Sequence, residues 1–126
     1  LPRIIKALIK KDYIFLKDII KANICADFSH AEDTCQGLYK IMFNMKNFDR
    51  LILSSGKSTS INSIIKYIIK KNKLKLDINF NKSVNKKTLI GSNKLAFKKL
   101  GWLPKKNVYI AADEMYKLQQ INDNKI

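Results

Sequence analysis

Between residues 61 and 71 the chain reads "INSIIKYIIKK", and Ile61, Ile64, Ile65, Ile68 and Ile69 fall at helical spacing. The pattern predicts an amphipathic helix to about Lys71. Its apolar stripe has to be covered, so the rest of the chain must supply partners. Residues 3 to 11, with Ile4, Ile5, Leu8 and Ile9, predict one such helix. Ile14, Phe15, Asp18 and Ile19 mark a second, separated from the first by a turn near Lys11 and Asp12. "NVYIAADEMYKLQQI" predicts a final amphipathic helix, and residues 122 to 126 a frayed tail.

Between these lies "ADFSHAEDTCQGLYKIM", residues 26 to 42. Ser29 and Glu32 stand at the N-cap and N3 spacing of a capping box. Asp33 adds a carboxylate in the first turn, where the helix dipole favours it. Leu38, Ile41, Met42 and Met45 mark the expected buried face, on a helix running to about Asn44. Residues 24 to 28 read as a short extended piece, 49 to 56 as a strand ending in a turn, and 74 to 80 as a half-buried strand. "TLIG", 88 to 91, is a candidate very short strand. Ser58, Thr59 and Ser60 are cap candidates, as are Ser92 and Asn93 for a short helix over Lys94 to Leu100 that Gly101 stops. The whole is helix-rich, in one compact unit.

Several residues look chemically active and are better read as structure. Ser29, His30 and Asp33 share one helical turn and point apart, whereas the members of a catalytic triad converge. Cys25 and Cys35 with one histidine lack zinc-ligand spacing and read as small buried residues. Two free thiols suit a reducing cytoplasm. Gly56-Lys57-Ser58 evokes a phosphate loop, but Leu51 stands where the first glycine belongs, leaving a strand-to-helix turn. The net charge is +15, yet only Arg3 and Arg50 are arginines, and nucleic-acid readers lean on arginine. Lysine travels here with isoleucine and asparagine, as in A/T-rich coding sequence, so binding to nucleic acid is not expected. No apolar run is long enough to span a bilayer. The first residues, Leu1-Pro2-Arg3, carry neither an initiator methionine nor a signal-peptide pattern, which raises the expectation of a fragment.

Three stretches together resemble a known family. "DFSHAEDTCQGLYKIM" resembles the Arg-Asp-Phe/Trp-x-His-x-x-Asp segment of extended short-chain dehydrogenase/reductases acting on nucleotide sugars. "FDRLILSSGKSTSINSIIKYIIKKNKL" resembles the strand, glycine turn and helix that follow it. "LIGSNKLAFKKLGWLPK" resembles the family's Asp-x-Ser-Lys-Ala-x-x-x-Leu-Gly-Trp-x-Pro-Lys run, most of all that of GDP-mannose 4,6-dehydratases.

The resemblance implies an α/β enzyme, of which this chain is an α+β-like fragment. It would be the helix-rich C-terminal substrate-binding portion, with two or three short strands, as a single domain over residues 1–126. Cofactor NAD(P), the catalytic Tyr-x-x-x-Lys pair and the glycine-rich loop would belong to a Rossmann half missing from this chain. The chain alone would then bind no cofactor and no metal, and hold no catalytic residue. Arg3, Lys82 and Asn85 fall at substrate-binding places. Lys82 and Asn85 replace an Arg-x-x-Glu pair, and Ala26 replaces the arginine before Asp27. Asp27, Ser29, His30, Glu32 and Asp33 would hold the segment's shape, with Trp102 and Pro104 as packing and turn residues. The implied partner is a nucleotide sugar, GDP-linked, and apolar surface left by the missing half would favour a homo-oligomer. Two other readings stand beside this one: a free-standing basic module for a polyanion, and an inactive truncated remnant.

Overall fold

The isoleucine stripe forms the helix that the sequence demands. In a computed structural model that describes residues 1–44, 50–80 and 88–123, six helices and two short strands are present. Together they make a helix-rich α+β fold. No described helix is long and apolar enough to cross a membrane. The described chain divides into two compact units. The first comprises residues 1–25, 59–80 and 109–123, and the second residues 26–44, 50–58 and 88–108.

The first unit is built on α4 (Ile61–Lys71), started by Ser60, whose side chain accepts from the Ser63 amide. Ile61, Ile64, Ile65 and Ile68 are buried, and Ile69 is half-buried. Asn62 joins the buried face and donates from Nδ2 to the Ile20 carbonyl at 3.1 Å. α1 (Pro2–Lys10) packs on α2 (Tyr13–Ala22), and α2 on α4. Ile4, Ile5, Leu8, Leu16 and Ile20 complete that core. The turn between α1 and α2 falls at Lys11, in the left-handed region, and Asp12, which caps α2. The apolar face of α2 is rotated from the expected one: Leu16 and Ile20 are buried, Ile14 is 80% exposed, and Asp18 faces solvent. α6 (Val108–Asp123) contributes Ala111, Ala112 and Tyr116. It includes Asn122 and Asp123 of the expected frayed tail, and residues 124–126 lie outside the described residues.

β1 (Cys25–Asp27) and β2 (Ser58–Ser60) pair as a two-stranded sheet. The extended piece at 24–28 is therefore found, but the described parts of 49–56, 74–80 and 88–91 are not strands. Burial still alternates along 74–80, with Leu74, Leu76, Ile78 and Phe80 half-buried and Lys75, Asp77 and Asn79 exposed. The side-chain pattern is real, but no second strand pairs with it among the described residues.

In the second unit α3 (Ala31–Met42) packs on α5 (Lys94–Leu100). Gly101 ends α5 in the left-handed region at φ 60°. α3 does not bury the face expected of it. Asp33 and Gly37 are buried, while Leu38 and Met42 are exposed; Met45 lies outside the described residues. Gly37 is the reason. A Cβ there would come within 2.7 Å of Leu53 and 3.1 Å of Trp102, so the missing side chain is what lets the core approach.

Candidate functional site

The residues singled out in 26–33 converge as joints of the second unit. Asp27, at the end of β1, has four donors on its carboxylate. Oδ1 accepts from the Ser55 amide at 2.9 Å and from the Ser55 hydroxyl. Oδ2 accepts from the amides of Gly56 and Gly91, each at 3.1 Å. One side chain thus ties together β1, the 55–56 turn and the 88–91 segment. Gly56 sits at φ 71°, which a side chain rarely adopts, and its turn aims successive amides at one point. The phosphate-loop lookalike is therefore a small anion nest already filled by an aspartate. The amide of Lys57 is taken as well, by Ser55 Oγ at 3.2 Å.

Asp33 is the second joint, only 2% exposed. Its Oδ2 accepts from the amides of Lys105 at 2.9 Å and Lys106 at 2.7 Å. Its carbonyl accepts from Trp102 Nε1 at 2.9 Å. The "GWLPKK" turn is fastened to the first turn of α3 by these three bonds. Trp102 is buried, as the packing role requires.

The cap of α3 differs from the expected capping box. The N-cap is His30, not Ser29: Nδ1 accepts from the Glu32 amide at 3.2 Å. Glu32 pairs with Lys106 Nζ and accepts from Gln36 Nε2 at 3.4 Å. The imidazole is buried and in extended backbone, so it meets the cap geometry with a nitrogen acceptor. Cys25 is half-buried and Cys35 exposed, against the expectation that both are buried. No group of three or more metal-ligating side chains occurs among the described residues.

Arg3 belongs to the first unit. It sits in the first turn of α1, with its guanidinium 4.5 Å over the Phe15 ring. Arg3, Lys6 and Lys10 follow one face of α1 and line a cavity of about 360 Å³, together with Ala7, Asp12 and Phe15. The Asp12 carboxylate there is engaged as the α2 cap, accepting from the Phe15 amide at 3.1 Å. Stacking holds the guanidinium plane, which favours directional contact with a planar or tetrahedral anion. Lys82 and Asn85 lie outside the described residues.

One feature escaped the sequence reading. A Tyr-x-x-x-Lys spacing does occur, at Tyr67 and Lys71 on α4, with Nζ 3.1 Å from the phenol oxygen. Asp113 of α6 accepts from both the Tyr67 hydroxyl, at 2.7 Å, and Lys71. These bonds to Asp113 hold the Lys71 pKa above the usual lysine value, with the Tyr67 contact second. A lysine meant to lower the pKa of a catalytic tyrosine would not be neutralised in this way. The trio is a clasp between α4 and α6, supplemented by the Tyr67 and Tyr109 rings at 4.8 Å. The i, i+4 spacing could have signalled the pair, but nothing in the sequence marked Asp113 as its partner.

The chain matches no protein-family model and no curated protein. Solved structures do match. RMD from Pseudomonas aeruginosa, complexed with NADPH, superposes with a TM-score of 0.64 at 15% identity, over 75% of this chain and 32% of that one. WbmG from Bordetella bronchiseptica, in complex with NAD and UDP, gives 0.61 at 13% identity, over 82% and 38%. UDP-glucuronic acid 4-epimerase from Bacillus cereus, in complex with NAD, gives 0.54 at 20% identity, over 73% and 32%. This chain shares part of their fold. It spans about a third of the length of each.

Proposed function

We propose that the chain is the nucleotide-sugar-binding portion of an epimerase or dehydratase of the extended short-chain dehydrogenase/reductase type. The observation that carries this is the fold shared with a UDP-sugar epimerase and with a structure holding NAD and UDP. The resemblance in residues 26–42 and 89–105 points the same way, and the structure gives those residues a physical part. Asp27 and Asp33 bind the three segments of the resemblance to one another. Within this class, the "LIGSNKLAFKKLGWLPK" run favours a GDP-mannose 4,6-dehydratase-like lyase.

Arg3 is the residue proposed to meet the substrate, with Lys6 and Lys10 adding positive potential for a diphosphate. We assign the dinucleotide elsewhere, because among the described residues the 55–57 turn, which evokes a phosphate loop, already has its amides taken by Asp27 and Ser55. Its binding, and with it the chemistry, belongs to another portion of the enzyme.

Calorimetric titration of the chain with GDP-mannose, UDP-glucuronic acid and the free nucleotides tests the reading. Saturable binding of a nucleotide sugar is expected. Arg3→Ala should weaken it about tenfold, and Arg3→Lys should recover only part, because the fork is lost. Absence of saturable binding would count against the reading. Retention on duplex DNA that falls steeply with salt would then favour the basic-module alternative.

A further inference from the structure

A cleft on the first unit carries polar side chains that the fold leaves unused. A cavity of about 320 Å³ is lined by Lys17, Ile20 and Lys21 of α2 and by Asp77 and Asn79 of the extended 74–80 segment. All five residues belong to that one unit. Lys17 and Lys21 stand four positions apart on one face of the helix, with the buried Ile20 beside them. Asp77 and Asn79 alternate with the half-buried Leu76, Ile78 and Phe80, so both face the same side of their segment. Opposite charges share this small space, yet none of the four polar side chains has an ion-pair or hydrogen-bond partner among the described residues. Like charges at the Lys17 and Lys21 spacing repel, and an anion seated on both relieves the repulsion.

We propose that this cleft binds a phosphate monoester of a sugar or other small polyol. The phosphate lies on the two ammonium groups, which act as point charges. The Asp77 carboxylate accepts from hydroxyls of the ligand, and the Asn79 amide both donates and accepts. Charge balance selects this class. Two lysines and one aspartate leave the cleft one positive charge, and a phosphate monoester brings about −1.5 to −2 at pH 7. An amino-acid zwitterion brings none. A nucleotide needs a broad apolar wall for its base, where this lining offers one isoleucine. The cleft also lies at the small end of ligand sites, which run from roughly 300 to 1,000 Å³. It shares no lining residue with the Arg3 cavity, so the proposal stands apart from the function proposed above.

Calorimetric titration of the chain with glucose 6-phosphate, glycerol 3-phosphate, inorganic phosphate and glucose tests this. Salt at about 0.15 M screens the general surface charge beyond about 8 Å. Saturable binding of at least one of the two esters is expected, tighter than that of inorganic phosphate, with none for glucose. Lys17→Met and Lys21→Met should each weaken it about tenfold. Lys98→Met, which removes an equal charge from α5, should not. Asp77→Ala separates a built site from a merely basic surface. It should weaken the ester about fivefold, because a hydroxyl partner is lost, and tighten inorganic phosphate, because a repelling charge is lost. If Asp77→Ala tightens both, only general anion attraction is at work and the proposal is overturned. It is overturned too if neither ester binds saturably, or if binding survives both lysine variants. All four substituted residues are exposed, so the variants keep the fold.

Discussion

Two aspartates six positions apart do the same kind of work by different geometry, and their amides should tell them apart. Asp27 uses both oxygens, each with two donors. In Asp27→Asn one oxygen becomes an NH₂ group, which faces donors whichever way the amide is turned. Ser55 and Gly91 are half-buried and Gly56 exposed, so water makes good part of the loss, and this variant should lose about 2 kcal/mol, close to the loss for Asp27→Ala. Asp33 places both side-chain bonds on Oδ2 alone. An asparagine can keep one oxygen there, so Asp33→Asn should cost about 1 kcal/mol. Urea denaturation gives the ranking, and hydrogen exchange at Gly56 and Gly91 gives its cause. Equal losses in the two variants would refute the argument. The importance of both residues was legible from the motif, but their partners were not: the Gly91 amide lies 64 positions from Asp27. The capping pattern also named Ser29 where His30 acts, because it favours hydroxyls and the imidazole nitrogen accepts as well.

Helices were far more legible than strands, and the reason is locality. The start of α4 at Ile61 follows from Ser60 and the isoleucine spacing, all within one segment. A strand also needs a ladder partner that its own residues do not specify, so 74–80 keeps its alternation without becoming one. α3 was misread for a related reason. Apolar periodicity marks what can be buried, whereas Gly37 marks what is approached, and Leu53 and Trp102 are distant in sequence. The end of α5 was legible because a C-cap glycine acts locally, and it yields a clean prediction. Gly101 has φ 60°, and an added Cβ meets nothing within 4 Å. Gly101→Ala should therefore cost about 1 kcal/mol from backbone conformation alone, with no cavity or clash. Equilibrium denaturation should show a lower midpoint at an unchanged slope. An unchanged midpoint would mean that the turn after α5 contributes nothing to stability.

Charge acts on the whole molecule, and two opposing effects of alkali can be separated by salt. At neutral pH the chain carries a net +15, with a pI near 9.9. Raising the pH toward that point relieves self-repulsion and favours the folded state. Above it, two groups work the other way. Burial raises the Tyr116 phenol above its ordinary 10.0, and the bonds to Asp113 raise Lys71 above 10.5. Both hold their protons longer in the folded chain than in the unfolded one. Their stabilisation is full below the ordinary values and is lost as the pH rises through the raised ones. At low salt the melting temperature should therefore climb with pH to near 10 and then fall. At about 1 M salt, where surface charge is screened within about 3 Å, the climb should flatten and the fall remain. Tyr116→Phe removes one of the two groups and should make the fall shallower, because phenylalanine has no proton to lose. Circular dichroism melts from pH 7 to 11.5 at both salt levels would show it. A fall of the same steepness in Tyr116→Phe would leave the Lys71 clasp as the alkaline-sensitive element, and Lys71→Met would then have to abolish it.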